Sequence, residues 1–332
     1  MKRSFWIRWL VGAAILALFI IGTDFSAALD ALADADTVLW MAVLPLNFVV
    51  LGLATLRSRL VMMQMGHDVP ASILFSSVTL GFVAGSLTPA ASGELLRTDA
   101  LRTTAGVPIQ DGLALVAFER LMSFYLILLS GAASAAVLLL PVGPAGAIGV
   151  LCVFGIGLPA LSPLILRLLP PVGDKPTGFL PKVIHYLRTT LHRMQALFED
   201  RWLLATWSGV TMLTFAVIAV QIWLMAESLG GGLDLIEAMF TYCGSQVLSI
   251  ISLLPLGLGV YDASLAGITE RAGMQEDAAV AMAVLVRATI MLPLVLLAIW
   301  ANFHLSMARR KAGATATTVV VGESAAGDST PG

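Results

Sequence analysis

Four residues of this chain are written twice. Pro89, Gly93, Gly106 and Arg120 return as Pro255, Gly259, Gly273 and Arg287, with spacings of 4, 13 and 14 residues in the first copy and 4, 14 and 14 in the second. In each copy Pro and Gly break an apolar stretch, and an arginine falls inside the next one. Arg120 lies between Val116-Ala117-Phe118 and Leu121-Met122, and Arg287 between Val284-Leu285-Val286 and Ala288-Thr289. An arginine at mid-bilayer costs about 2.5–3.5 kcal/mol on insertion scales, so its default reading is a functional site. Its chemistry is bidentate recognition of an oxyanion, phosphate above all. Charged neighbours follow each break: Glu94 and Arg97 after Gly93, Glu119 beside Arg120, and Asp262 after Gly259.

A plainer reading stands beside this one. Pro89, Gly93, Pro255, Gly257 and Gly259 shape turns, and Glu94 and Asp262 cap the helices that follow. Helices starting at Gly93 and Gly259 would also aim free N–H groups inward, which favours anions. The arginines would then lock helices together, Arg120 with Asp262 and Arg287 with Glu94 or Glu119. Arg97 reads equally as a charge at a membrane edge.

The elements that must position these residues are membrane helices. Of 332 residues, 58% are hydrophobic and 12% charged, and the mean hydropathy is +0.91. Soluble domains carry about 25% charge. The formal net charge of −2 and the lack of a long basic run argue against a nucleic-acid partner. Apolar segments long enough to span fall at 5–22, 38–56, 145–168, 202–226 and 279–304. A sixth, Val107 to Leu140, contains Glu119-Arg120 and is expected to start in a polar vestibule before crossing. The segment 5–22 resembles a signal peptide and is read as an uncleaved first helix. Stretches 71–92 and 237–256, broken by Pro and Gly, are expected to be re-entrant hairpins, because broken backbone at membrane depth needs burial or a watery cavity.

Charge placement supports that topology. With both hairpins re-entrant, sixteen of the nineteen Lys and Arg fall on one side, the exceptions being Arg120, Arg271 and Arg287. Each half then runs helix, helix, hairpin, helix, in opposite orientations, which is an inverted-topology repeat. The expected fold is an all-α polytopic membrane protein of about six spans and two re-entrant hairpins, with both termini cytoplasmic in the inner membrane. Residues 1–141 form the first repeat and 142–311 the second. The second includes a basic amphipathic loop, 173–201, expected at the cytoplasmic surface against anionic headgroups or simply as a basic inside loop. Residues 312–332, rich in Ala, Thr, Gly and Ser, read as a disordered tail.

Other polar residues read more blandly. Pro45 and Asn47 suggest a kink with a hydrogen-bonding amide. Ser76-Ser77 and Ser245-Gln246 are expected to bridge helices. Cys152 and Cys243 read as small buried residues, and the four histidines as interfacial. No Cys/His cluster, GxxxxGK[ST], HExxH or GxSxG occurs, so no metal, no cofactor and no catalytic residue is expected and the chain does not read as an enzyme.

The two blocks, Leu87-Thr88-Pro89-Ala90-Ala91-Ser92-Gly93-Glu94-Leu95-Leu96-Arg97 with Gly106 and Ala117-Phe118-Glu119-Arg120, and Leu254-Pro255-Leu256-Gly257-Leu258-Gly259-Val260-Tyr261-Asp262 with Gly273 and Arg287, resemble a known pattern. It is that of the flippase-like family defined by the transmembrane region of lysylphosphatidylglycerol synthases. The likeness runs over residues 5–308. In the first block Ala91-Ser92 stand where relatives often carry more glycine, and nothing after Lys311 resembles the soluble aminoacyltransferase domain. The resemblance implies movement of a lipid or lipid-linked molecule across the inner membrane. On that reading Arg120 and Arg287, with Arg97, bind the anion, and Glu119, Glu94 and Asp262 orient them. The partners are membrane lipids and an anionic or lipid-linked substrate, with a second copy or a pathway enzyme as further expectations. The alternative is a non-transporting membrane partner of a lipid-modifying or glycolipid enzyme.

Overall fold

A computed structural model of the chain describes residues 25–87, 94–139, 189–190, 192–254 and 257–326. Every regular element among them is an α-helix. The expected spans 5–22 and 145–168 and most of the loop 173–201 lie outside the described residues, as do Pro89, Gly93 and Pro255.

Short helices α1 (Phe25–Ala33) and α2 (Thr37–Met41) lead into α3 (Val43–Gln64). Asp36 starts α2 by accepting from the Val38 and Leu39 amides at 2.8 and 3.3 Å. Pro45 sits in the first turn of α3, where its missing N–H costs nothing. The span therefore runs on to Gln64, well past the expected end at 56. Helices α4 (Ala71–Leu87) and α5 (Leu95–Ala105) pack on each other as a hairpin, followed by α6 (Ile109–Leu139). In the second half α7 (Arg201–Ser228) is followed by a second hairpin, α8 (Leu235–Ser252) and α9 (Val260–Arg271), and then by α10 (Glu276–Ala326). Asp200 caps α7 at 2.9 Å from the Trp202 and Leu203 amides. Asp234 and Glu237 form a reciprocal capping box on α8.

Five of these stretches are long and apolar enough to cross a bilayer: 37–64, 109–139, 201–228, 235–252 and 276–310. Their outer faces are apolar too, as Leu296, Ile299 and Phe303 on α10 are 63–69% exposed. That suits lipid and not water. The chain is an all-α, multi-pass membrane protein. Helix α10 continues to Ala326, through much of the stretch 312–332 expected to be a tail. Ala is the best helix former, and the next proline after Pro293 is Pro331.

Packing between the halves is symmetric in kind. Matching α3 with α7, α4 with α8, α5 with α9 and α6 with α10, the pair α4–α10 exchanges with α8–α6, and both pairs pack extensively. The pair α3–α7 exchanges with itself. There Asn47 Nδ2 donates to the Thr289 carbonyl at 3.0 Å, and Gln221 Nε2 donates to Asn47 Oδ1 at 3.0 Å, joining α3, α7 and α10. Both amides are buried. The hydrogen-bonding role expected of Asn47 is thus seen.

Two apolar cores flank this link. One gathers Val61, Leu101, Leu115, Phe118 and Trp207; the other gathers Ile222, Met225, Leu265, Met282 and Leu285. The helical segment 192–199 closes the first core. Its Met194, Leu197 and Phe198 are buried, with Phe198 5.2 Å from Phe118 between ring centroids. The apolar face of this segment therefore covers protein, which replaces the expected headgroup contact for these residues. Its Arg193 lies 3.3 Å from Asp111, which His67 contacts at 2.7 Å, tying the segment to the start of α6.

Candidate functional site

Each half builds one arginine–carboxylate pair from the same parts. Arg120 and Arg287 both stand eleven residues after the first residue of their helices, Ile109 and Glu276. At 1.5 Å per residue both sit about 16 Å along from the start of the helix. The second hairpin helices are of similar length, eleven residues in α5 and twelve in α9. Each ends on a glycine in the left-handed region, Gly106 at φ 67° and Gly273 at φ 107°, which turns the chain into the long helix. The hairpin tip therefore lies level with the arginine. Glu94, just before α5, pairs with Arg120. Asp262, in the first turn of α9, receives Arg287 Nε at 2.6 Å and Nη2 at 2.8 Å.

The recurring glycine and arginine thus have a local cause: one turns the chain, and the other meets the hairpin tip. The cross-half pairs expected from sequence, Arg120 with Asp262 and Arg287 with Glu94 or Glu119, are not formed. Each arginine pairs inside its own half, because the short return helix brings its own tip to the following helix.

Asp262 also caps α9, accepting the Gly259 amide at 3.0 Å. Gly259 (φ 75°) and Gly257 (φ 58°) supply the left-handed backbone that this turn needs. Arg287 lies over Tyr261, 5.6 Å from the ring centroid.

The first half carries a longer network. Arg97, buried on α5, reaches α6, where Nη1 donates to Glu119 Oε2 at 2.5 Å. Its Nη2 donates to Ser58 Oγ on α3 at 2.5 Å, and Ser58 in turn contacts Glu119 Oε1 at 2.8 Å. Glu94 Oε2 is 3.9 Å from Arg97 Nη1. The order Arg120, Glu94, Arg97, Glu119 is therefore an alternating chain of charges. Arg97 is an interior residue, so its reading as an edge charge does not hold.

Close approach lets Arg97 cross α4. A Cβ on Gly81 would stand 3.1 Å from Arg97 Cβ, and one on Gly85 would stand 3.1 Å from Glu94 Cγ. Replacing Gly81 by Leu is expected to cost about 1–3 kcal/mol through overpacking, read as a lower thermal midpoint in detergent. A midpoint equal to wild type would show that α4 does not constrain Arg97.

Sequence reasoning missed Arg57, Ser58, Trp207 and Thr211. Arg57 directly precedes Ser58 on α3, with its guanidinium 5.2 Å from the Trp207 ring centroid and Nη1 donating to Thr211 Oγ1 at 3.3 Å. It looked like a membrane-edge charge because the span was ended at residue 56. The apolar run Leu60-Val61-Met62-Met63 was the signal that the helix continues. Of the serines expected to bridge helices, Ser76 does so, 3.0 Å from His304 Nδ1 on α10, while Ser77 bonds within its own helix. Cys243 is a buried free thiol, as expected. Among the described residues no His/Cys/Asp/Glu group suited to a metal occurs.

The family model described as the lysylphosphatidylglycerol synthase TM region matches residues 5–298. A UPF0104 membrane protein of Methanothermobacter thermautotrophicus is 24% identical over 321 residues, which span 86% of this chain and 91% of that one.

Proposed function

The chain belongs to the lysylphosphatidylglycerol synthase TM region family, and from that premise we propose that it is a translocase for a phospholipid or lipid-linked, phosphate-bearing molecule in the bacterial inner membrane. The observation that carries this reading is the arginine–carboxylate pair made twice from hairpin tip and long helix, about 16 Å along an apolar helix long enough to span. A guanidinium kept at that depth is expensive unless it serves a polar pathway. The Arg120 side chain is 51% exposed, which supports a water-filled recess and not a sealed structural pair. The exchange of α4–α10 with α8–α6 supports an inverted repeat, with the α4–α5 and α8–α9 hairpins entering from opposite faces. Helices α5 and α9, of eleven and twelve residues, are too short to cross by themselves, which supports re-entrance although α8 is long enough to span.

On this reading Arg97, Arg120 and Arg287 attract the phosphate, Glu94, Glu119 and Asp262 hold the guanidinium planes, and the apolar tails stay in lipid. The test is movement of fluorescently labelled phosphatidylglycerol between leaflets of vesicles containing the purified protein. Arg120→Lys and Arg287→Lys should each slow it about tenfold or more, because lysine cannot make the bidentate contact. Unchanged rates in both variants would remove the arginines from the pathway. No movement with the wild type would favour a non-transporting membrane partner of a lipid-modifying enzyme.

A further inference from the structure

The alternating chain of charges in the first half does not balance. Arg57 directly precedes Ser58, whose hydroxyl joins Glu119 and Arg97, and it extends the order to Arg120, Glu94, Arg97, Glu119, Arg57. Three arginines against two glutamates leave one net positive charge. The second half has Arg287 against Asp262 and is neutral.

An unmatched cation away from water is costly, and the cost is relieved by an anion with acceptor oxygens. The donors for such an anion are present. Arg57 Nε, Arg97 Nε and Trp207 Nε1 are buried and meet no acceptor among the described residues. None of the three can accept, so only an incoming acceptor satisfies them. Trp207 lies beneath Arg57, and Arg97 donates to Ser58, the residue after Arg57.

We propose that Arg57, with Arg97 and Trp207, forms the resting site for a singly charged phosphodiester headgroup, and that the two halves are unequal, the first holding the anion. One negative charge neutralises this site. A phosphomonoester or a diphosphate would over-neutralise it and leave a net negative charge in a low-dielectric setting. The proposal rests on the translocase reading above and adds to it the charge of the headgroup and the residue that selects it.

Calorimetric titration of the full chain in detergent tests it. The probes are short-chain phosphatidylglycerol, carrying one charge, and short-chain phosphatidic acid at a pH above both phosphate ionisations, carrying two. Wild type should prefer phosphatidylglycerol, and Arg57→Gln should weaken that binding about tenfold or more. Glu94→Gln raises the site to two net positive charges and should shift the preference toward phosphatidic acid, a gain that misfolding does not produce. Chain-free glycerophosphoglycerol should bind more weakly than the lipid; equal binding would overturn the lipid assignment. If phosphatidylglycerol binds and Arg57→Gln leaves it unchanged, or if Glu94→Gln shifts nothing, this proposal fails and the translocase reading stands. If wild type binds neither lipid, both fail.

Discussion

Replacing Glu119 by Leu should lower stability by about 3–5 kcal/mol, the usual cost of removing one partner from a buried ion pair. The size follows from what Glu119 holds. Its two oxygens receive Arg97 Nη1 and contact Ser58, and Arg97 is 3% exposed. Without the carboxylate, Arg97 keeps only Ser58 and a distant Glu94 oxygen, and Arg57 loses its nearest opposite charge. The companion experiment is the double variant Arg97→Met with Glu119→Leu. Apolar side chains of similar volume often replace a buried pair without loss, so the double variant should recover at least half of the lost stability in thermal unfolding. Lipid movement should stay absent in both. A double variant no more stable than the single one would mean that the network is held by something other than this pair. A double variant that moves lipid at the wild-type rate would reduce the pair to a structural lock.

The second large effect is expected at Asp262. This one side chain accepts the Gly259 amide and both Arg287 nitrogens, and the residue is 4% exposed. Asp262→Ala removes the helix cap and the counter-charge together, for an expected loss of about 3–5 kcal/mol. The matching change in the first half, Glu94→Ala, should cost far less, because Arg120 is half-exposed and water screens what the pair loses. Thermal midpoints of the two variants in the same detergent decide the matter. Equal losses would contradict the difference in burial between the two pairs.

The residues that were legible in the sequence are those that stand out against an apolar background. Arg120 and Arg287 are conspicuous there, and Pro and Gly punctuate the same stretches twice. The breaks were readable for that reason and fall between α4 and α5 and between α8 and α9, whereas the expected hairpins 71–92 and 237–256 cover little more than the first helix of each pair. What escaped notice was whatever did not contrast. Arg57 sits two residues before Arg59 and resembles a flank, although α3 carries it inside. Trp207 is an ordinary apolar residue until its indole lies under a guanidinium. The pairing was misjudged for a geometric reason: the expectation of an inverted repeat draws attention to a central interface, while hairpin length decides which carboxylate each arginine can touch. The spacing from carboxylate to arginine, 26 residues for Glu94–Arg120 and 25 for Asp262–Arg287, was present in the sequence as the clue.

The amide link of Asn47 and Gln221 has a mechanical consequence. It lies where α3 meets α7, the helix pair that maps onto itself when the halves exchange. Asn47 spends its N–H on α10 and its oxygen on α7, so neither helix can slide along α3 without leaving a buried amide group unmatched.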